Sequence, residues 1–420
     1  MSGVLLVECA TWLIISARFN PVMIKIKRLD DNLNIEGKRV LLRVDFNVPI
    51  NDGAITENSR IEKVLPTIKF LINKKAKIII VAHLGRPKGK IVPRLTLKPI
   101  AKKLSYYLNQ DVVFLNESIG SLVIQNSKKI PNGKIILLEN IRFHKEEELN
   151  SVSFAKELSK IGDIYINEAF PCSHRAHASV CEITKHIDSF AGKQLLEEIS
   201  ALKMLTDNAK KPTTCIIGGS KISTKSGILI NLIKKMQNII IVGAMANIFI
   251  KHKGYNIGQS IFEKNQDNLI ENIIQESKKN NCNLILPEDV TISKNYNLKG
   301  DLKSLDQIND NDLILDMGEK TLQNIIKVID ESKTILWNGP AGYFEIDEFS
   351  AGSRKIANKI SENTKTKSLV SIAGGGDTVA AIHKFKCSKG FTYLSTAGGA
   401  FLELIEGKVL PGIKALEINE

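Results

Sequence analysis

At 420 residues with 43% apolar side chains, the chain is long enough for two hydrophobic cores, so two domains are expected. Its formal charge of +13 permits anionic partners of any size. The lysine runs NKKAK (73–77) and ESKKNN (276–281) carry no interleaved aromatic residues, which argues for a solvated surface and against nucleic acid.

Along the chain, VLLVECATWLII (4–15) is too short to span a membrane, contains Glu8 and has no basic residues before it, as a secretory signal would. Met23 opens MIKIKRLDD, which reads as a natural start. Residues 1–22 are therefore set apart as an extended or misassigned N-terminus, and no other segment approaches membrane-spanning length. Strand-like runs follow at 39–46, 77–84, 111–115, 134–140, 213–219, 238–243, 283–290, 333–339 and 368–376. Many are unbroken Val/Ile/Leu stretches, the pattern of parallel strands buried on both faces, and the spacing leaves room for crossover helices. An α/β fold with two doubly wound sheets is expected. FAGKQLLEEISALKMLTD, ending at Asp207, has helical periodicity and separates a His/Arg-rich half from a Gly/Lys-rich half, so it is read as a linking helix. The expected domains are 23–190 and 208–405, with the helix at 191–207 and a C-terminal segment, 406–420, returning to the first domain.

In open α/β sheets, ligands bind beyond the carboxyl ends of the strands. In the first half those positions hold Asp45 and Asn47; His83, Gly85 and Arg86; Asn140, Arg142 and His144; and His174, Arg175 and His177. Apart from Arg354, every arginine lies within the first 175 residues, and a guanidinium grips carboxylate or phosphate as a planar fork. An acidic small molecule is the ligand this predicts. Arg60, in TENSRIEK, reads as a helix-surface residue. In the second half, GGSKISTKS carries Lys221 and Lys225, but Thr224 stands where a phosphate loop needs its second glycine. A helix start capped by Ser220 and Ser223 is the alternative. KTILWNGPAGYFE supplies Asn338 and Glu345; SIAGGGDTVA and TYLSTAGGA each lead a glycine loop into a helix, where free amides suit phosphate. Asp377 fits either a helix cap or a Mg²⁺ contact. The six cysteines, Cys9, Cys172, Cys181, Cys215, Cys282 and Cys387, show no CxxC spacing; a reducing compartment fits, and Cys215 reads as a small core residue.

Taken in order, RVDFNVP, HLGRP, ENIRF, HRAH, GGSK with its following lysine, WNGP with its later glutamate, GGGDT and TAGGA resemble phosphoglycerate kinases, from about Met23 to the C-terminus. The resemblance implies a glycolytic, two-domain enzyme whose linker helix and hinge-bending cleft bring two substrates together. It further implies a cytoplasmic monomer with no nucleic-acid or membrane partner. The reaction would transfer a phosphoryl group between 1,3-bisphosphoglycerate and Mg-ADP, giving 3-phosphoglycerate and ATP. Carried over residue by residue, the acid-substrate contacts fall on Asp45, Phe46, Asn47, Arg60, His83, Leu84, Gly85, Arg86, Arg142 and Arg175. The nucleotide contacts fall on Lys225, Asn338, Glu345, Gly374, Gly375, Gly376, Asp377 and Thr378, with Asp377 also at the metal. Arg60, Lys221, Lys225, Gly398 and Gly399 would act on the transferring group. The chain departs from the family pattern at Glu168 and Pro171, at Val242 and Ala244, and at Ala397, where altered packing is expected.

Overall fold

The computed structural model describes residues 12–15, 24–51, 53–206 and 209–418. Most of the segment set apart at the N-terminus lies outside the described residues, although Trp12–Ile15 pairs antiparallel with Ile24–Lys27. The chain divides into two compact units, Met1–Ile199 with Val409–Glu420, and Ser200–Lys408.

The first unit is built on six parallel strands, β1 (Arg39–Arg43), β2 (Lys77–Val81), β3 (Val112–Leu115), β4 (Ile135–Leu138), β5 (Ile164–Asn167) and β6 (Ser189–Ala191), ordered β6-β5-β1-β2-β4-β3. Ile78, Ile79, Ile80, Ile135, Leu137 and Leu138 are all buried, as expected for strands covered by helices on both faces. One face packs against helices Ser59–Asn73 and Lys98–Leu108 through Val64, Ile68, Leu71, Ile100 and Leu104.

The second unit repeats this plan with β7 (Thr213–Ile217), β8 (Asn238–Ile241), β9 (Asn283–Ile285), β10 (Thr334–Asn338), β11 (Val370–Gly374) and β12 (Tyr393–Ser395), ordered β9-β8-β7-β10-β11-β12. That is the doubly wound order in which successive strands run outward in both directions from a central pair, here β7 and β10. Ligands are taken up where the order reverses, so the loops after β7 and β10 mark the site before any side chain is considered. Trp337, fully buried, anchors the core together with Ile216, Ile240, Ile335 and Ala373.

Two expected elements differ. The run 283–290 is broken by Pro287, which cannot donate to a ladder: its first part is edge strand β9, and Asp289–Ser293 instead joins a three-stranded antiparallel sheet with Asp301–Ser304 and Leu313–Met317. The linking helix spans Lys193–Thr206, because Ser189–Ala191 is spent as β6 beside β5.

At the central pair of the second unit the backbone comes unusually close. The Gly218 amide donates to the Asn338 carbonyl at 2.9 Å, and a Cβ on Gly339, whose φ is +114°, would collide with the Gly218 backbone. Gly339→Ala is expected to destabilise the protein by about 3 kcal/mol, from left-handed strain plus overpacking against rigid backbone. An unchanged thermal midpoint would refute this close approach.

Candidate active site

In the first unit, the loops that follow β1, β2, β4 and β5 converge. Asp45, just beyond β1, accepts the Asn47 amide at 3.0 Å on one oxygen and the Arg60 guanidinium at 2.6 Å on the other. This brings Arg60, at the start of its helix, into the site rather than onto an outer surface. Asn47 accepts the Gly85 amide at 2.8 Å, joining the first loop to the second. Asn140 donates to the carbonyls of Leu84 and Leu95 at 2.8 and 2.9 Å, and Arg142 donates to the Gly85 carbonyl at 2.9 Å. Arg175 is half-buried and donates to His174 at 3.0 Å, while Arg86 is exposed. Phe46 and Leu84 turn their side chains into the core, so only their backbone can serve a ligand.

Sequence reasoning missed the residue at the centre. Arg43, the last residue of β1, is fully buried, donates to Ser179 at 2.8 Å and to the Val44 carbonyl, and lies 3.4 Å from His83 Nδ1. Its nearest carboxylate is the equally buried Glu147, at 4.0 Å. Arg43 lies inside the strand-like run 39–46 and so is not among the residues just past a strand. The usable signal was a charge in a strand whose neighbours are all apolar. Burial, reinforced by Arg142, Arg43, Arg60 and Arg175, holds His83 well below the usual histidine range, so its imidazole is neutral at physiological pH. Asp45, His83 and Cys172 bring possible ligand atoms within 4.8 Å of one another. Arg43 sits against both His83 and Cys172, however, so this is a place for an anion rather than a cation.

In the second unit, Lys225 lies at the junction of the central strands. Its ammonium donates to the Gly218 carbonyl at 2.5 Å and to Asn338 Oδ1 at 2.6 Å, and burial lowers its pKa to about 8. Asn338 in turn donates to the Gly374 carbonyl at 2.6 Å, and Thr378 accepts the Gly339 amide at 2.7 Å. The GGGDT loop is thereby fastened to the neighbouring strand end. Gly375 has a φ of +97°, the turn that swings the chain from β11 into helix Gly376–Lys384. Neither this helix nor Gly398–Ile405 has a side-chain cap, which leaves their first amides directed outward. Asp377 is exposed in the first turn of its helix, and Lys221 is exposed beside the first loop.

The cap expected from Ser220 and Ser223 does not form. Ser223 instead bonds Glu263 through both its amide and its hydroxyl, and the helix opens at Lys225 without a side-chain cap. Alongside, a cavity of about 270 Å³ is lined by Val242, Gly243, Ala244, Leu315, Tyr343 and Glu345. Val242 fills the core behind Gly218, and Ala397 adopts φ −100°, a conformation open to any residue. The departures at these positions leave both the cavity and the helix start intact.

Arginines thus gather at the strand ends of one unit, and a lysine with glycine-led helix starts at those of the other. A family model described as phosphoglycerate kinase matches residues 30–408. The phosphoglycerate kinase of Orientia tsutsugamushi (strain Ikeda) is 46% identical over 398 residues, covering 94% of this chain and 98% of its own. That of Bartonella bacilliformis is 44% identical over 391 residues, covering 93% and 98%. The solved structure of phosphoglycerate kinase from Coxiella burnetii superposes with a TM-score of 0.83 at 39% identity, over 92% of this chain and 97% of the other. Alike in sequence and in fold over nearly its whole length, the chain belongs to the phosphoglycerate kinase family, the glycolytic phosphotransferases with a carboxyl acceptor that move a phosphoryl group reversibly between 1,3-bisphosphoglycerate and ADP.

Proposed function

We propose that the first unit binds 3-phosphoglycerate or 1,3-bisphosphoglycerate and the second binds ADP or ATP. The observation that carries this division is the segregation of cationic groups. Arg60, Arg86, Arg142 and Arg175 sit with Asp45, Asn47 and His83 at one set of strand ends; Lys225 and two uncapped helix starts sit at the other. On the acid side, the arginines would grip carboxylate and phosphate, with the backbone of Phe46, Leu84 and Gly85 completing the wall. On the nucleotide side, Asn338, Glu345 and the loop Gly374–Thr378 would hold the phosphates and ribose, with the apolar cavity taking the base.

The acceptor in the ATP-consuming direction is a carboxylate, ionised without help, so no general base is needed; His83, neutral and enclosed by arginines, is suited to donating a hydrogen bond. Catalysis then reduces to alignment and to positive charge around the equatorial oxygens of a loose transition state. Arg60, Lys221, Lys225 and the amides at Gly398 and Gly399 are the groups assigned to that charge. Asp377 fits a hard cation: its carboxylate is exposed in the turn that would meet the phosphates, and among the described residues it has no hydrogen bond or ion pair. Mg²⁺ held there would neutralise charge on the nucleotide phosphates. A cytoplasmic location accords with Cys172, Cys181, Cys215, Cys282 and Cys387, all buried and unpaired. One chain supplies both sets of contacts, so a monomer suffices.

Purified protein given 3-phosphoglycerate and Mg-ATP, coupled to NADH oxidation, is expected to turn over, and Arg60→Ala or Lys221→Ala to lower kcat by about 100-fold or more. An effect confined to KM would reject those two roles. A methyl group added at Gly398 would meet nothing within 4 Å, and the position needs no special backbone, so Gly398→Ala should leave the thermal midpoint unchanged or raised while transfer falls about tenfold or more. Full activity would mean that the space belongs to solvent rather than phosphate. Asp377→Asn should weaken Mg-ATP binding in titration calorimetry much more than it weakens metal-free ATP, and equal losses would remove Asp377 from the metal.

A further inference from the structure

The helix that carries Arg60, Ser59–Asn73, contains Pro66. Proline lacks the amide that would bond to Glu62 and crowds that carbonyl, so the ladder alone holds the first turns less firmly than in an unbroken helix. What meets the helix at this point is Glu168. Its side chain is fully buried, and one carboxylate oxygen accepts the hydroxyl of Thr67, the residue after the proline. The other accepts the Leu195 amide at 3.2 Å, and the Gln194 amide adds a further bond; both belong to the first turn of Lys193–Thr206. Gly192 leaves the room, since a Cβ there would fall on the carboxylate. Lys63 makes a second contact on this side, 4.0 Å from Glu198. Residues three and seven apart share one face of a helix, so Arg60, Lys63 and Thr67 form a stripe, with Thr67 about 10 Å along the axis from Arg60.

We propose that Glu168 is a positioning residue for phosphoryl transfer: by tying Thr67 to the amides that open helix Lys193–Thr206, it fixes the segment that presents Arg60. The inference rests on the reading of Arg60 as a catalytic residue. Burial pushes the Glu168 carboxyl up to about 7, against the pull of Thr67 and the Gln194 and Leu195 amides, with Glu197 adding a smaller upward push. The packed elements carry Arg60, Glu62, Lys63 and Lys69 on the first helix, Lys193, Glu197, Glu198 and Lys203 on the second, and Arg39 and Arg43 on β1, where the Arg43 guanidinium is engaged by Ser179 and the Val44 carbonyl. An ionised carboxylate accepts hydrogen bonds more strongly than a protonated one, so the tie loosens as pH falls through neutrality.

Thr67→Val removes the donor, and Glu168→Gln replaces one of the two accepting oxygens by a donor, so each near-isosteric change weakens the tie from one end; both are measured alone and in an Arg60→Ala background, with thermal melts to verify folding. Each single variant is expected to lower kcat about tenfold, with KM for 3-phosphoglycerate changed less than about twofold, and neither to lower kcat further once Arg60 is gone. Glu168→Gln should also flatten the acid limb of kcat between about pH 6 and 8, which Glu168→Asp, retaining a titrating group, should restore in part. Unchanged kcat in the folded single variants, or losses that add fully to that of Arg60→Ala, would overturn the positioning role while leaving Arg60 in place. Full kcat in Arg60→Ala alone would instead overturn the reading of Arg60, and this inference with it.

Discussion

Four guanidinium groups brought to the carboxyl ends of one parallel sheet are the constraint around which the first unit is organised. Arg43, Arg60, Arg142 and Arg175 all press on His83, and like charges at such range cost free energy unless something absorbs them. The fold absorbs part. Asp45 faces Arg60, Glu147 faces Arg43, Glu148 lies 3.5 Å from Arg142, and the backbone carbonyls of Val44 and Gly85 take further donors of Arg43 and Arg142. Carbonyls satisfy hydrogen bonds without cancelling charge, so the arginines outnumber the carboxylates that face them. Burial, with the same field added, keeps His83 uncharged, which limits the total.

The second unit reaches a similar end by removing side chains instead of supplying them. Its central strands lead into Gly218 and Gly339 back to back, and three glycines, Gly374 to Gly376, carry β11 into the following helix. Phosphate would meet amides and helix starts there, with Lys225 the half-buried point charge among them. Lys225 is itself held by Asn338, which also grips the Gly374 carbonyl, so one asparagine sets the distance between lysine and glycine loop. The two units therefore present different kinds of positive charge: planar guanidinium forks on one, backbone dipoles and a lysine on the other.

Much of this could be read from the chain. The sheets were legible because strands buried on both faces leave unbroken Val/Ile/Leu runs, and most site residues because they stand just past those runs. What escaped did so for physical reasons. Ser189–Ala191 is a three-residue edge strand fused to a helix rich in Leu and Glu, so the helical period swamped it. The antiparallel sheet around Asp289–Ser293 was hidden in a run that continues across Pro287 into a different layer. Arg43 and Glu147 were invisible because each looks ordinary alone, one inside a strand and one in the solvated-looking KEEE turn; only their long-range meeting at Ser179 gives them meaning. Arg60 was drawn to the site by family resemblance alone, while its own neighbourhood suggested a surface.

The chain's last stretch has a consequence for how the protein comes into being. The second unit is continuous in sequence, whereas the first is finished by Val409–Glu420. There the Gly412 amide bonds to the Ser173 carbonyl at 2.8 Å, Ala415 packs against the cluster of Ala169, Cys172, Val180 and Cys181, and Glu417 bridges to Ile26. The loop that carries Arg175 is thus braced by residues made after the whole of the second unit. During synthesis the second unit has its whole sequence available before the first does, so the loop carrying Arg175 gains this brace only after the other unit has been made.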